Sequence, residues 1–287
     1  MARKWLLFIV IGLLSVLLVA CGSSDKKNEK TSSKESGKIE QIKARGELVV
    51  AVFTDKPPFG YIDKDGKNIG FEIDMAKRFA KDLLGDESKV KFVPVEAASR
   101  IPYLQSDKVD FVLANMTATE DRKKVVDFTN PHLKVAVQVL VKDGSPIQSV
   151  KELEGKKVIV TKGTTADIYL TKNMKNVELI KFDKNTEALQ ALKDGRADAY
   201  AQDNLVLLSW ANKNPGFHLL KDKLGGEEQI AIAVKKGNKE IYDWVNKELE
   251  TLGKENYLHK LYETHLKDEF GPQVKPESVI TEGGKVN

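Results

Sequence analysis

Arg122, Thr117, the Gly163-Thr164-Thr165 run and Asp203 are the residues of this chain best suited to do chemistry together. Each lies where a strand is predicted to hand over to a helix. Arg122 follows Thr117 just inside a helix start, where a guanidinium takes a carboxylate in a two-pronged fork. Nearby backbone N–H groups and the Thr117 hydroxyl complete such a cradle. Gly163-Thr164-Thr165 opens another predicted helix, whose free N–H groups, hydroxyls and positive dipole end suit the same anion. Asp203 follows an apolar stretch and can accept from an ammonium group. A carboxylate clamp plus an ammonium acceptor is what an α-amino acid requires. Phe59 and Tyr61, within Lys56-Pro57-Pro58-Phe59-Gly60-Tyr61, read as an apolar wall held by two prolines. Plainer readings stand beside these: Arg122 paired with Glu120 or Asp127, Thr164, Thr165 and Asp203 as helix caps, and Phe59 as core.

Catalytic patterns are scarce. The four histidines, His132, His218, His259 and His265, include no pair at the helical spacing of a metal site. No Gly-x-Ser-x-Gly, Walker loop or Gly-x-Gly-x-x-Gly occurs. The residues therefore predict a binding protein with no catalytic group, metal or cofactor.

The elements that must position these residues alternate in type. Strands are predicted at Leu48–Phe53, Val90–Val95, Val109–Ala114, Lys157–Val160, Val177–Phe182 and Ala197–Ala201. Phe71, Met75, Phe79 and Leu83 recur every fourth residue, which marks one helix face; Gly85 ends it. A short helix is expected at Ile101–Gln105, and Thr119 is placed to cap another at Glu120. Further helices are expected at Ala166–Met174, Thr186–Lys193, Leu205–Asn212, Lys239–Leu252 and Lys254–Leu266. Alternation of this kind implies an α/β fold with a mostly parallel sheet, whose ligands sit at the carboxyl ends of the strands. Two such series imply two lobes, and the β-branched run Val135–Val141 and the run Gln229–Val234 are candidate crossings between them.

The amino terminus carries a different signal. Arg3 and Lys4 precede an apolar stretch, Trp5 to Leu18, which ends at Leu18-Val19-Ala20-Cys21. This is the pattern of a secretory signal, residues 1–20, and at roughly 14 residues it is short for a membrane-spanning helix, which needs about 20. Residues 21–38 are Ser-, Lys- and Glu-rich and read as a flexible linker. Hydrophobic residues at 41% and charged residues at 31% fit a globular body beyond it. Loss of Arg3 and Lys4 brings the formal charge from +4 to +2, too small an excess to argue for nucleic acid. Cys21 is the only cysteine, so no disulfide forms within the chain. The tail, residues 271–287, carries Pro272, Pro276, Gly283 and Gly284 and is expected to be only partly ordered.

The chain resembles the amino-acid-binding lipoproteins of bacterial ABC importers, solute-binding protein family 3. The resemblance covers Gly46 to Phe270. It rests on Asp55-Lys56-Pro57-Pro58-Phe59-Gly60-Tyr61, Gly70-Phe71-Glu72-Ile73-Asp74, Ala114-Asn115-Met116-Thr117-Ala118-Thr119-Glu120-Asp121-Arg122, Lys162-Gly163-Thr164-Thr165-Ala166, Asp194-Gly195-Arg196-Ala197-Asp198-Ala199 and Gln202-Asp203-Asn204. It implies a two-lobed periplasmic-binding-protein-like fold (type II) with two hinge strands: lobe one from 39–138 and 233–270, lobe two from 139–232. It implies further that Arg122 and Thr117 hold the ligand α-carboxylate, that Thr165 adds a contact from lobe two, that Asp203 takes the α-ammonium, and that backbone around Asn115 faces the ligand. Leu18 to Cys21 resembles a lipobox, with Cys21 lipidated and the protein anchored on the outer face of the cytoplasmic membrane.

Arg100 sits where acidic-amino-acid binders of the family carry a side-chain clamp. The wording around it, Val95-Glu96-Ala97-Ala98-Ser99-Arg100, is nearest the cysteine- and cystine-binding branch, which shares that Arg. A structural ion pair with Asp127 or Glu96 is the alternative role for Arg100. The ranking is cysteine or cystine, then glutamate or aspartate, then glutamine. The expected partners are an ABC permease and its ATPase, and the expected state is a monomer. An enzyme on a similar two-lobed fold, and a surface adhesin or sensor, are the competing classes.

Overall fold

The structure is a computed structural model that describes residues 37–285. The predicted signal sequence, Cys21 and nearly all of the predicted linker lie outside the described residues. No helix among the described residues is long and apolar enough to cross a membrane.

The first half begins with α1 (Lys38–Arg45), β1 (Leu48–Val52), and a small three-stranded sheet of β2 (Asp55–Lys56), β3 (Gly60–Ile62) and β4 (Asn68–Ile69). Helix α2 (Phe71–Leu84) follows as its four-residue apolar spacing predicts. Phe71, Met75 and Phe79 are buried, and Gly85 closes it in the left-handed conformation, donating to the Lys81 carbonyl. Next come β5 (Val90–Pro94), α3 (Arg100–Gln105), β6 (Phe111–Val112) and α4 (Glu120–Lys123). The Thr119 hydroxyl caps α4 by accepting from the Arg122 N–H at 3.3 Å. β1 pairs in parallel with both β5 and β6.

β7 (Val126–Lys142) then runs out of the first half into the second. There β8 (Lys157–Thr161), α5 (Thr165–Asn173), β9 (Glu178–Phe182), α6 (Asn185–Lys193), β10 (Ala199–Asp203) and α7 (Asn204–Lys213) repeat the strand–helix rhythm. β8 pairs in parallel with β9 and β10. β11 (Phe217–Leu219) pairs with β7, and β12 (Leu224–Lys235) returns to the first half. The sheet order β5-β1-β6-β12-β7-β10-β8-β9 puts the two long strands side by side in the middle, antiparallel to each other, with three parallel strands on either flank. Each flank is a lobe. The crossings are longer than the predicted runs because β12 pairs with β6 of lobe one, β7 pairs with β10 of lobe two, and the two pair with each other between those ends.

Each flank carries its own apolar clusters, lobe one around Phe71, Phe79 and Phe111, lobe two around Val139, Val158 and Leu170. Burying one such side chain is worth about 1.5–3 kcal/mol.

The closing helices are α8 (Lys239–Lys254), α9 (Tyr257–His265) and α10 (Lys267–Phe270). The helix expected from Lys254 starts three residues later, because Asn256 takes φ 52° and breaks the run. The tail also departs from expectation. Residues 271–285 pack against the body through α11 (Pro276–Val279), buried Val279 and Ile280, and a bridge from Ile280 to Leu133. Glu282 accepts from the Leu258 and His259 N–H groups at the start of α9. Two apolar side chains and a carboxylate cap outweigh the disordering tendency of the Pro and Gly residues.

Candidate functional site

The carboxyl ends of the parallel strands of both lobes point at one cleft, as expected for such sheets. β10 ends at Asp203, β8 runs into Gly163-Thr164-Thr165, β6 runs into Ala114 and Asn115, and β1 runs into Phe53. These four ends bring Arg122, Thr117, Asn115, Arg100, Thr165 and Asp203 together, all of them buried.

Arg122 bridges the lobes. Its Nη1 donates to the Thr117 carbonyl at 2.8 Å and its Nη2 to the Gly163 carbonyl at 2.8 Å. Neither Glu120 nor Asp127 holds it; those carboxylates pair with Lys123 and Lys236. Burial lowers the Arg122 guanidinium from its ordinary range, and the charge of Asp203 opposes this. Among the described residues the Thr117 hydroxyl has no hydrogen-bond partner, so the residue helps hold Arg122 through its carbonyl and leaves its side chain unused.

Arg100 also binds backbone rather than acid. Nε donates to the Ala97 carbonyl at 3.0 Å, and Nη1 to those of Ala114 and Asn115 at 2.9 and 3.1 Å. Its alternative role as an ion-pair partner of Asp127 or Glu96 is not seen. Burial first, then the like charge of Arg122, pushes the guanidinium down to about 9.

Asp203 occupies the position before α7, yet its side chain makes no capping bond. Its Oδ2 instead accepts from Asn115 Nδ2 at 2.5 Å and lies 3.8 Å from Lys56 Nζ, both from lobe one. Asn115 is held in turn by Glu72, whose two oxygens accept its N–H at 2.9 Å, and Glu72 is braced by His132 Nε2 at 3.1 Å. This fixes Asn115 in the left-handed region at φ 43°.

The two threonines of lobe two part company. The Thr164 hydroxyl accepts from the Asp167 N–H at 3.3 Å and donates to the Thr161 carbonyl at 2.7 Å, which is a helix cap. The Thr164 hydroxyl is thus engaged as a helix cap, the plainer of its two readings. Among the described residues, Thr165 Oγ1 and Glu228 Oε2 on β12 are both buried without a hydrogen bond of good geometry, though Thr165 lies near enough to Glu228 to favour its charged form. Burial first, then the charge of Asp203, raises the Glu228 carboxyl.

Phe59 takes the plainer of its two readings. Its ring is wholly buried in lobe one, 6.4 Å from that of Phe270. The Phe59 N–H donates to the Lys56 carbonyl at 3.0 Å, and the ring belongs to the lobe-one core. Tyr61 stands apart from the polar cluster, lining an adjoining groove of about 720 Å³ with Thr54, Pro57, Glu96, Tyr103 and Lys184. The aromatic face at the cleft is Phe53, with Lys56 Nζ 4.6 Å and Arg100 Cζ 5.5 Å from its centroid.

Lobe-to-lobe contact is close. Asp55 Oδ2 accepts the Asn185 N–H at 2.7 Å, closing the start of α6 from the opposite lobe. Gly163 has φ +75°, and a Cβ there would stand 2.7 Å from the Ala98 Cα of lobe one. Only glycine allows both that conformation and that approach.

Residues 48–268 match the family described as bacterial extracellular solute-binding proteins, family 3. The chain belongs to this family. A cysteine-binding protein from Campylobacter jejuni is 46% identical, with TM-score 0.84, over 86% of this chain and 100% of that one. A solute receptor for L-cysteine from Neisseria gonorrhoeae is 47% identical, with TM-score 0.83, over 85% and 99%. An ABC-transporter glutamine-binding protein from Bacillus subtilis (strain 168) is 35% identical over 93% of this chain and 98% of its own length. The relatives are thus solute-binding proteins of amino-acid ABC transport, and their two-lobed architecture is the one described above.

Within this family-3 fold the sequence left three cleft residues unread as site residues: Lys56, Glu72 and Asp55. Lysine and acid side chains are normally solvated, so nothing in their local sequence marks Lys56 or Glu72 as buried. The signal available was their place inside the quoted motifs, next to the strand ends.

Proposed function

We propose that the protein is the extracytoplasmic receptor of an ABC importer, taking a small polar L-amino acid between its lobes and delivering it to the membrane permease. Cysteine or cystine is the favoured ligand, and the protein acts by binding and not by catalysis. One observation carries the reading: unused donors and acceptors from both lobes, on Arg100, Arg122, Thr117, Thr165 and Asp203, converge on one cleft. The guanidinium of Arg122 and the Thr117 and Thr165 hydroxyls suit an α-carboxylate; Asp203 suits an α-ammonium. Domain closure around the ligand is the signal that a permease reads. Cys21, lipid-modified after cleavage of residues 1–20, would tether the body as a monomer to the outer face of the cytoplasmic membrane.

The sulfur-amino-acid reading is supported by the cysteine receptors at 46% and 47% identity. Glutamine is the second reading, supported by the B. subtilis relative. Glutamate or aspartate is third, supported by the cationic Arg100 beside the cleft.

The test is a thermal-shift and calorimetry panel on protein unfolded and refolded to strip carried-over ligand. L-cysteine, L-cystine, glutamine, glutamate, aspartate, arginine and histidine are compared. A ligand at about 100 times its dissociation constant adds roughly 2.7 kcal/mol of stability. The expected response is to cysteine or cystine. A response to glutamine alone moves the assignment to the second reading, and silence throughout removes the amino-acid receptor.

A further inference from the structure

Helix α6 has no cap from its own lobe. Its N-cap residue is the exposed Lys184, whose backbone has the extended conformation of that position (φ −104°, ψ 143°) but whose side chain makes no capping bond. A lysine offers no acceptor, and its cation sits at the positive end of the helix dipole. The acceptor comes from lobe one instead. Asp55, on β2, takes the Asn185 N–H on its Oδ2 at 2.7 Å, across 130 residues of sequence.

This contact differs from the other bonds between the lobes. Those from Arg122 to Gly163 and from Asn115 to Asp203 involve groups that a ligand in the cleft would itself engage. Asp55, Lys184 and Thr186 line the adjoining groove. Behind the helix start, the buried Asn185 side chain is built into lobe two. Its Oδ1 accepts from the Tyr200 hydroxyl at 2.7 Å, and that hydroxyl accepts from Gln202 Nε2 at 3.0 Å. Gln202 Oε1 accepts in turn from the Asp203 N–H at 3.0 Å. The start of α6 and the end of β10 are therefore one bonded unit, and Asp55 docks on it.

We propose that Asp55 is a closure latch: a cap that α6 receives only when the lobes meet, which stabilises the closed form whatever ligand fills the cleft. With the lobes apart, the Asn185 N–H and the Asp55 carboxylate both return to water. With the lobes together, they form a charge-assisted bond at the helix end where negative charge is favourable. A contact made only in the closed form raises the population of that form, and with it the apparent affinity of every ligand that the form holds. The inference rests on the receptor reading for its ligands and gives Asp55 a part in closure, not in recognition.

The test measures dissociation constants by calorimetry with L-cysteine, L-cystine, L-serine and L-glutamine, and lobe separation by X-ray scattering with and without ligand. The wild type is compared with Asp55→Ala, Asp55→Asn, Lys184→Ser and Asp55→Ala combined with Lys184→Ser; thermal melts confirm folding. Asp55→Ala is expected to weaken every ligand that the wild type binds by about fivefold, as loss of a helix cap does, and to leave the ratios between ligands unchanged. Asp55→Asn keeps an acceptor without the charge and is expected to lose about twofold. Lys184→Ser gives α6 a local cap, so removing Asp55 in that background is expected to cost less. Wild-type affinity in folded Asp55→Ala overturns the inference. So does a loss confined to one ligand, which would make Asp55 a ligand contact, or a loss undiminished by Lys184→Ser, which would show that the cap is not what was removed. If Asp55→Ala does not fold, Asp55→Asn decides on the same ratios. Failure of the wild type to bind any of the four overturns the receptor reading itself; the latch is then judged on the ligand-free scattering, where Asp55→Ala must show the lobes farther apart than the wild type.

Discussion

Arg122 and Arg78 serve opposite ends in the same molecule. Arg78, on α2, is fully matched: Nη1 and Nη2 donate to the two oxygens of Glu255 at 2.7 and 2.8 Å, and Nε donates to Asp82 at 2.5 Å. Those bonds hold its guanidinium above its ordinary range. Arg122 is more deeply buried, has no carboxylate within ion-pair distance among the described residues, and bonds only to the Thr117 and Gly163 carbonyls there. A network whose bonds are all made on folding stabilises the fold. A buried cation with incomplete pairing costs stability, and it is retained where a ligand completes it. The comparison teaches that a charge's missing partners, more than its presence, mark the site.

The strongest way to break this contrast is Arg122→Ala. A ligand carboxylate would lose its charge-assisted fork, and binding is expected to weaken by about 2–5 kcal/mol; affinity near that of the wild type by calorimetry contradicts the assignment. Asp203→Asn comes next. Hydrogen bonds to charged groups are worth about 1.5–3 kcal/mol, so this variant should weaken α-amino acids more than their deaminated analogues. Equal losses for both would leave Asp203 without a role in ammonium recognition. Gly163→Ala tests closure. A Cβ in the left-handed conformation costs roughly 1–2 kcal/mol, and here it also meets Ala98. Its affinity should fall by a similar amount, with scattering in the presence of ligand showing the lobes farther apart. Scattering identical to the liganded wild type would rule out Gly163 as a closure contact.

The smallest effect sharpens the other side of the contrast. Glu248 lies beside the Arg78 network, and burial together with the neighbouring Asp82 carboxyl raises it from 4.5 to about 8. The folded protein therefore holds a proton there that the unfolded chain releases. Stability should fall as pH rises through that window. Glu248→Gln should flatten this slope in denaturant titrations from pH 5 to 9 and leave ligand affinity unchanged. An unaltered slope would show that Glu248 does not carry it.

How far the sequence was legible follows from the same physics. Arg122, Thr165 and Asp203 could be read because strand-to-helix junctions in parallel sheets fall at the ligand edge by topology alone. The crossings β7 and β12 were visible as β-branched or apolar runs, but only their central parts; the polar residues of β12, such as Glu227 and Glu228, hid its start. Phe59 stayed open between wall and core because an aromatic beside prolines serves either equally well, and its burial in lobe one is set by partners distant in sequence such as Phe270. Thr164 and Thr165 are adjacent and chemically identical; which one caps α5 depends on backbone geometry that composition does not encode. Lys56 and Glu72 were passed over because their burial depends on partners distant in sequence, Asp203 and Asn115.

The most direct test of the account compares thermal unfolding of Arg122→Met and Arg78→Met, each with and without L-cysteine. Arg122→Met should keep the ligand-free melting temperature within a few degrees of wild type and lose the ligand-induced rise. Arg78→Met should melt lower without ligand and keep the rise, because one exposed-network arginine contributes about 1 kcal/mol or less and touches no ligand. If Arg122→Met instead melts far lower without ligand and still gains the full rise from cysteine, Arg122 is a structural residue and the binding site lies elsewhere.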